Sequence, residues 1–298
     1  MNLITINNDT LKVDINPIGA EFFSIINLRN GRECLWQGVP EVWKSRSPVL
    51  FPIVGALNNC TMRQDGKEYN MAQHGFARAS EFEVIKHEAD EVLFRLVSNP
   101  STLEKYPYEF VFEIGYKLID DTIKISYRVS NPSDETIHFQ LGAHPGLNYL
   151  NYNPEAEAQC YLSFDDKNGS GEILSGEIND KGLLIEKETI FSLTDKLLAV
   201  DKDLFNNGAL IIENDQAYEI CMLDTTTKEP YVSVKFDAPV VGVWSNAKGS
   251  YAPYLCIEPW YGRCDKADYT GEFADKDWMQ KLDAGATFDA SYTITITK

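Results

Sequence analysis

The chain has 298 residues and a formal net charge of −18, from 45 acidic and 27 basic side chains. A surface this negative repels phosphate backbones and anionic lipids, so neither nucleic acid nor a membrane is an expected partner. No run of about 18 apolar residues predicts a transmembrane helix. The first residues show no basic segment followed by an apolar one, so we expect no signal peptide and a cytoplasmic location.

The six cysteines are widely separated and form no Cys-x-x-Cys pair. Their number alone would allow two or three disulfides. Because no export signal is visible, reduced thiols are the preferred interpretation. The cysteines are Cys34, Cys60, Cys160, Cys221, Cys256 and Cys264.

Most of the chain consists of short segments in which apolar and polar residues alternate. Successive side chains of a strand point to opposite faces of a sheet, so this pattern predicts strands with one buried face. Turn-forming clusters such as 131–134 separate them. The clearest predicted strands are Leu11–Ile15, Glu81–Lys86, Glu91–Val97, Glu109–Leu118, Thr122–Ser130, Thr136–Leu141, Ala209–Glu213, Tyr218–Leu223, Tyr231–Phe236, Val240–Trp244 and Thr287–Thr297.

Helical patterns are few. Ser101–Tyr106 and Asp275–Leu282 each predict one short helix. Strands and helices do not alternate, and no Pro- or Ser-rich linker divides the chain. The sequence therefore predicts an all-β protein, with about fifteen antiparallel strands forming a large sandwich or barrel as one domain over residues 1–298.

Two of the four histidines stand in segments that could carry chemistry, whereas His87 and His138 are interpreted as structural. His144 follows the predicted strand 136–141 and precedes Pro145, which restricts the backbone before it. We expect a stiff turn to hold the His144 imidazole at the rim of a sheet, where it could act as an acid or base near neutral pH. A ring that only bonds a backbone carbonyl is the alternative.

Glu258 lies in the apolar and aromatic stretch 254–262. Burying a carboxylate among such residues is costly unless it is paired or used. Burial would also favour the neutral form and make Glu258 a better base near pH 7. A glutamate at a strand end pointing to water is the alternative.

Two loop-like segments carry further polar groups. The segment 46–55 begins with Arg46 and contains too much proline for a central strand. The segment 73–78 brings Gln73, His74 and Arg78 close together around a glycine. Such groups beside aromatic rings suit a sugar site, because C–H faces stack on rings while hydroxyls take polar partners. A solvated loop is the alternative for either segment.

Other common chemistries lack their motifs. The sequence has no His-x-x-x-His or Cys-x-x-Cys pair and no phosphate-binding glycine loop. The Gly-x-Ser-x-Gly nucleophile motif is also missing. We therefore expect no metal and no cofactor.

Several segments occur in a characteristic order: 16–22, 33–36, 46–55, 65–69, His74–Arg78, Gly142–Asn148 and Cys256–Trp260. In this order they resemble the aldose 1-epimerase (galactose mutarotase-like) superfamily over nearly the whole chain. The likeness is greater to the LacX-like and hexose-6-phosphate-mutarotase-like branches than to galactose mutarotase itself. The resemblance implies a large antiparallel β-sandwich that binds a sugar and needs no cofactor.

The resemblance also implies roles for single residues. His144 would be the general acid and Glu258 the general base that open and close the sugar ring. His74 matches a sugar-contacting histidine. Gln73, Arg78 and Arg46 fall where the phosphate-tolerant branch contacts its substrate, and the two arginines together could clamp a phosphate. Asp203, with Asp201 as second choice, is the prediction for a family aspartate that binds sugar hydroxyls.

The chain departs from the family pattern at Ala56, where an arginine often follows Phe-Pro-Ile-Val-Gly. The substrate therefore stays open between a hexose and a hexose phosphate. A non-catalytic sugar-binding or sugar-sensing protein on the same fold is one alternative function. A glycoside hydrolase is another, although such enzymes need two carboxylates. The family resemblance suggests a monomer or a homodimer.

Overall fold

The computed structural model describes residues 2–166, 171–247 and 250–297. Strands dominate these residues, and antiparallel pairing joins the named strands within each sheet. The strands are β1 (Ile4–Asn7), β2 (Leu11–Asn16), β3 (Glu21–Asn27), β4 (Arg32–Glu33), β5 (Thr61–Gln64), β6 (Lys67–Asn70), β7 (Glu83–His87), β8 (Glu91–Val97), β9 (Val111–Ile119), β10 (Thr122–Ser130), β11 (Ile137–Phe139), β12 (Leu141–Gly142), β13 (Gly146–Asn148), β14 (Tyr161–Asp166), β15 (Glu172–Ile178), β16 (Leu184–Ser192), β17 (Leu197–Ala199), β18 (Leu210–Ile212), β19 (Ala217–Leu223), β20 (Pro230–Phe236), β21 (Val240–Trp244), β22 (Tyr254–Tyr261), β23 (Gln280–Leu282) and β24 (Thr287–Ile296).

Helices are few and short, as the sequence predicts. The described residues contain α1 (Pro100–Leu103) and the 3-10 turns Asn58–Cys60, Ala77–Ala79 and Phe273–Asp275. None of these helices is long enough to cross a lipid bilayer. The helix expected at 101–106 ends three residues earlier, at Leu103. It also begins one residue earlier, because the Asn99 side chain accepts hydrogen bonds from the first turn and proline suits the first helical position.

The helix expected at 275–282 is wrong. Asp275 ends a 3-10 turn, and β23 pairs with β11 instead. Trp278 has a φ of 59°, a left-handed conformation that a right-handed helix cannot include. Trp278 packs on a smaller apolar cluster and Leu282 on the main core, so these two apolar residues do not share one helix face.

The larger sheet has nine strands in the order β17-β14-β19-β20-β24-β10-β9-β8-β7. The neighbouring strands β24 and β10, in the middle of this sheet, follow the predicted alternation. In β10, Ile123, Ile125 and Tyr127 are buried, whereas Lys124 and Arg128 face solvent. This sheet therefore has one face on the main core and one face in water.

The second large sheet has the order β12-β22-β21-β18-β15-β16, and β13 also pairs with β22. Strand β22 is buried along nearly its whole length. Leu255 and Ile257 pack into the main core, whereas Tyr254, Cys256 and Trp260 belong to two smaller apolar clusters. Because residues two apart share a face, Glu258 points to the same side as these last three.

The six cysteines are free, as expected, and four of them are buried. The strand count of the described residues exceeds the expected fifteen, because several strands lack alternation or are only two or three residues long.

Candidate active site

A cavity of about 300 Å³ opens beside the side of β22 that carries Glu258. We call it the central cavity. Strands of the seven-stranded sheet supply part of its wall, and loops supply the rest. Its lining residues are Trp43, Gly55, Gln73, His74, Arg78, His144, Ile178, Gly182, Gly208, Ala209, Ile211, Trp244, Glu258, Trp260 and Cys264.

Glu258 lies in the middle of β22 and is 1% exposed, so the interpretation as a strand end in water is wrong. Burial raises the pKa of this carboxyl well above its ordinary value. Within the described part of the chain, Glu258 Oε2 accepts no hydrogen bond. A buried carboxyl oxygen without a donor is costly, and a ligand in the cavity can supply one.

His144 lies in the short connection between β12 and β13, two strands that both pair with β22. This double pairing places the imidazole over the strand that carries Glu258, and His144 Nε2 lies 3.3 Å from Glu258 Oε2. The imidazole stacks on Trp43, with ring centroids 4.9 Å apart, and meets Trp244 edge-on at 5.6 Å. This placement fits the expectation that a stiff turn holds the His144 ring beside a sheet.

Burial lowers the pKa of His144 well below its ordinary value, and the neighbouring His74 and Arg78 lower it further. Within the described residues, His144 Nδ1 also lacks a hydrogen-bond partner. Burial therefore disfavours the charged form of both members of the His144–Glu258 pair. Transfer of the carboxyl proton to the imidazole would leave the net charge of the pair unchanged.

Two glycines make room for the indole that lines the cavity next to Glu258. Gly142 and Gly242 lie on the strands that flank β22. A Cβ atom at Gly142 would lie 2.6 Å from the Trp260 ring, and one at Gly242 would lie 2.5 Å from it. The Trp260 indole donates from Nε1 to the Ala143 carbonyl at 3.3 Å. This hydrogen bond joins the residue before His144 to the strand that carries Glu258.

His74 reaches the cavity from a strained loop. Its φ is 67°, and the following Gly75 could not carry a Cβ because that atom would lie 2.2 Å from the Phe51 carbonyl oxygen. The Gly55 N–H donates to His74 Nδ1 at 3.2 Å, so the ring proton resides on Nε2. Burial and the charge of Arg78 lower the pKa of His74 to about 3, which makes it a neutral donor.

Arg78 brings a cation into the cavity wall from the 3-10 turn Ala77–Ala79. Its Nη2 donates to Ser45 Oγ at 2.6 Å, and burial lowers its pKa. No carboxylate of the described residues forms an ion pair with it. Gln73 lies at the more exposed edge of the same cavity. The structure therefore brings together five of the seven predicted residues: Gln73, His74, Arg78, His144 and Glu258.

Arg46 does not line the cavity. Its guanidinium lies over the Phe23 ring, 3.8 Å from the centroid, and Nη1 donates to the Phe23 carbonyl and to Gln37 Oε1 at 2.6 Å each. It therefore cannot form a phosphate clamp with Arg78 in this arrangement. The Arg46 carbonyl instead accepts the Gly146 N–H at 2.8 Å, which fixes the chain just after His144.

Asp203 is exposed and lies beside a different depression, near β14 and β17. Its Oδ1 accepts a hydrogen bond from Asn206 Nδ2 at 3.0 Å, and Asp201 caps the same turn by accepting the N–H groups of Asp203 and Leu204. These aspartates shape the turn that leads to Gly208, but neither faces the cavity. Glu258 is the one carboxylate among the described cavity residues.

The sequence analysis gave no role to Trp43 and Trp244, which surround His144. Their signal was present, because tryptophan beside polar loops is typical of sugar sites, but sequence alone could not show which tryptophans meet. Trp43 also stacks on Tyr254 at 5.2 Å and meets Trp244 edge-on at 5.4 Å. The cavity thus has a continuous aromatic side next to the acid–base pair.

One cluster of the described residues has the composition of a metal site. Ligand atoms of His144, Cys256 and Glu258 lie within 4.8 Å of one another. Burial raises the pKa of Cys256 well above its ordinary value, so this thiol is protonated. Thiols bind metals as thiolates, so Cys256 is poorly prepared as a ligand here. A bound ion would also occupy both members of the acid–base pair.

The chain is therefore an all-β protein of large antiparallel sheets, with a buried histidine–glutamate pair in an aromatic cavity. The sequence model described as aldose 1-epimerase matches residues 2–274. The chain belongs to the aldose 1-epimerase family.

Individual relatives agree with this assignment. The chain is 28% identical to the chromosomal Protein LacX of Lactococcus lactis over 301 residues, covering 98% of this chain and 99% of that protein. A galactose mutarotase related enzyme from Lactobacillus acidophilus is 35% identical, with a TM-score of 0.90 over 100% of this chain and 98% of that chain. A galactose mutarotase-like protein from Lactobacillus casei is 26% identical, also with a TM-score of 0.90, over 99% of this chain and 100% of that chain.

Proposed function

We propose that this protein is an aldose 1-epimerase that interconverts the α and β anomers of a hexose. The observation that carries the proposal is the 3.3 Å separation of His144 Nε2 and Glu258 Oε2 at the central cavity. Anomer exchange moves protons on two oxygens, the C1 hydroxyl and the ring oxygen. Both oxygens are bonded to C1, so their acid and base must lie side by side.

In the proposed reaction, Glu258 carries no proton and His144 carries one when the ring opens. Glu258 accepts the proton of the C1 hydroxyl, His144 donates its proton to the ring oxygen, and the bond between C1 and the ring oxygen breaks. The C1–O1 bond becomes the aldehyde carbonyl. After rotation about C1–C2, the ring oxygen attacks the other face of C1, and both protons return to the groups that first held them.

The remaining cavity residues suit a hexose. Trp43 and Trp244 offer ring faces or edges to the C–H groups of the sugar. His74 can donate from Nε2, and Gln73 and Arg78 offer further donors to hydroxyls. Since Arg46 is bound elsewhere, Arg78 is the one arginine of the described cavity wall, which favours a neutral hexose over a hexose phosphate.

The first test is polarimetry of freshly dissolved α-D-glucose and α-D-galactose with the wild-type protein and His144→Ala. We expect the wild type to accelerate mutarotation and the variant to lose about 10²–10⁴-fold of that rate, because a positioned acid contributes this much. His87→Ala is the matched control, since that ring is exposed, hydrogen-bonds to the Thr5 carbonyl and is not among the described residues of the central cavity. Full activity in His144→Ala would refute the assignment.

The protonation states predict the pH profile of kcat. Activity needs one proton on the pair. The pKa of His144 is lowered, so the second proton binds only below the ordinary histidine range. The pKa of Glu258 is raised, so the single proton is lost only well above the ordinary glutamate range. We expect the acid limb below about pH 6.5, the ordinary histidine pKa, and the alkaline limb well above about pH 4.5, near the ordinary glutamate pKa. An acid limb at or above pH 6.5 would contradict this prediction.

Two other functions predict different outcomes. A sugar-binding protein without catalysis would bind glucose or galactose in calorimetry and leave mutarotation at its background rate. A glycoside hydrolase needs two carboxyl groups about 5–9.5 Å apart, and the described cavity residues include only Glu258. Release of reducing sugar from aryl glycosides would be needed to support the glycoside hydrolase function.

A further inference from the structure

His144 lacks the hydrogen bond that usually orients a histidine in acid–base catalysis. In such sites, one ring nitrogen meets the reacting group while an acceptor binds the other. His144 Nε2 lies 3.3 Å from Glu258 Oε2. The second nitrogen, Nδ1, is buried and has no hydrogen-bond partner among the described residues. The turn before Pro145 restricts the backbone, so the orientation of the ring itself depends on other contacts.

A stack of aromatic rings ends on the His144 imidazole. Trp36 lies on Tyr254, with ring centroids 4.8 Å apart and planes at 30°. Tyr254 stacks on Trp43 at 5.2 Å and 22°. Trp43 stacks on His144 at 4.9 Å and 28°. Trp36 and Tyr254 are buried, so the core of the protein fixes the stack at the end opposite His144.

The Trp43 ring is partly exposed, but hydrogen bonds fix the loop that carries it. Trp36 Nε1 donates to the Trp43 carbonyl at 2.7 Å, and Asn246 Nδ2 donates to the Val42 carbonyl. The Trp36 N–H also donates to the Gly146 carbonyl at 2.8 Å, just after the imidazole. Trp36 therefore connects the loop of Trp43 to the segment that carries the imidazole.

The surroundings of the imidazole make its protonated form costly. The titratable and charged groups that face it are Glu258, Cys256, His74 and Arg78. Burial lowers the pKa of His144, and His74 and Arg78 lower it further. Burial raises the pKa of Cys256, so this thiol stays neutral. The proposed reaction nevertheless needs a protonated His144 beside a deprotonated Glu258, and Glu258 is the one carboxyl in this set.

The face of the Trp43 indole offsets part of this cost. The π electrons of an indole attract a cation that lies over the ring within about 6 Å of its centre. The centroid distance of 4.9 Å and the angle of 28° place the charge of a protonated His144 in this position. The contact favours the protonated ring without a second carboxylate, which would compete with Glu258 for protons.

We propose that Trp43 is a positioning residue for the general acid: its indole orients the His144 ring and stabilises the protonated form. This inference rests on the proposed epimerase function and adds a role to a ring that also lines the sugar cavity. Stacking takes the place of the acceptor that Nδ1 lacks within the described part of the chain. Trp43 acts through His144 and neither donates nor accepts a proton in the reaction.

The test compares the pH profiles of kcat for the wild type, Trp43→Leu and Trp43→Phe, measured by polarimetry at saturating glucose. Removal of the ring face should lower the pKa of His144, so the acid limb of Trp43→Leu should move about 0.4–1.5 pH units to lower pH. Between the two limbs, kcat should fall about 2- to 30-fold, because the protonated ring is less populated. Trp43→Phe keeps a smaller ring and should recover part of both effects.

Val42→Ala is the matched control, because it removes an apolar contact of the same loop but no ring that faces His144. Its acid limb should coincide with that of the wild type. NMR of labelled histidine rings measures the pKa of His144 in the sugar-free protein, and His144→Ala assigns its signal among the four histidines. In Trp43→Leu this pKa should shift in the same direction as the acid limb.

An acid limb that stays in place in Trp43→Leu would overturn the proposal, even if KM rises, because loss of sugar stacking alone changes KM. A shift to higher pH, or an equal shift in Val42→Ala, would also overturn it. If Trp43→Leu does not fold, the smaller shift expected for Trp43→Phe decides. A wild-type protein that accelerates no sugar would instead overturn the proposed function, and the NMR titration would still test the contact.

Discussion

Replacing Glu258 with glutamine should lower kcat for anomer exchange by about 10²–10⁴-fold while sugar binding survives. The amide has nearly the same shape as the carboxyl group but cannot accept the proton of the C1 hydroxyl. The nearby rings and donors of the cavity remain in place to hold the sugar. Polarimetry measures the rate, and calorimetry with glucose measures binding. A variant that keeps its rate would exclude Glu258 as the base.

The same substitution has a second expected effect, on stability. Between pH 4.5 and the raised pKa of Glu258, the folded protein holds a proton that the unfolded chain has lost. Stability therefore falls as pH rises through this window, and Glu258→Gln should remove that part of the slope. Its melting temperature should equal or exceed that of the wild type at pH 7.

Glu177→Gln is the matched control for this stability effect. Hydrogen bonds from Lys187 and Thr189 lower the pKa of Glu177, so its contribution is present above the ordinary pKa and is lost as pH falls. The control should lower the melting temperature at pH 7, opposite in sign to Glu258→Gln. A loss of stability in Glu258→Gln equal to that of the control would refute the raised pKa.

Replacing Lys276 with methionine should destabilise the protein by about 3–5 kcal/mol, the cost typical of breaking a buried ion pair. The side chains of Lys276 and Asp265 are 3% and 2% exposed and form a direct ion pair. The substitution would leave Asp265 buried without its counter-charge. Urea unfolding at pH 7 measures the change in the free energy of unfolding.

The exposed pair between Lys12 and Asp14, 3.2 Å apart, provides the control. Lys12→Met should change the free energy of unfolding by no more than about 1 kcal/mol, because solvent screens such pairs. Adding Asp265→Asn to Lys276→Met should recover part of the lost stability, since the buried charge is then gone. A cost for Lys276→Met as small as that of the control would show that the pair is solvated.

The buried pair also supports the active site. Asp265 Oδ2 accepts the Asn58 N–H at 2.8 Å, and the Asp265 N–H donates to the Ala56 carbonyl at 2.9 Å. The same loop contains Gly55, whose N–H holds His74 Nδ1. Loss of the ion pair should therefore loosen the cavity wall as well as lower global stability.

Sequence alone could predict the strands that have one solvent-exposed face and one buried face. In β10 and β24 the alternation is regular, because one face packs on the core and the other meets water. It could not predict β22 from alternation, because both faces of that strand are covered and the pattern is continuously apolar. The isolated carboxylate of Glu258 within that apolar run was nevertheless a usable signal.

Site residues could be predicted where their motif fixes both the position and the direction of the side chain. His144 is held by the turn before Pro145, and His74 by a glycine that tolerates no side chain. Arg46 has a long, flexible side chain, which packs on the Phe23 ring and donates to the Phe23 carbonyl instead of reaching the cavity. Asp203 lies in a turn that only approaches the cavity, and the local sequence contains no information about that distance. The single-domain prediction for residues 1–298 stays a prediction.

Three of the chain's five tryptophans, Trp43, Trp244 and Trp260, line the central cavity. We therefore expect much of the ultraviolet emission of this protein to come from indoles that line the cavity of the acid–base pair. The protein carries its own optical probe at the place where a sugar would bind. Occupancy of the cavity can be followed in real time without a label, including in variants that no longer turn over.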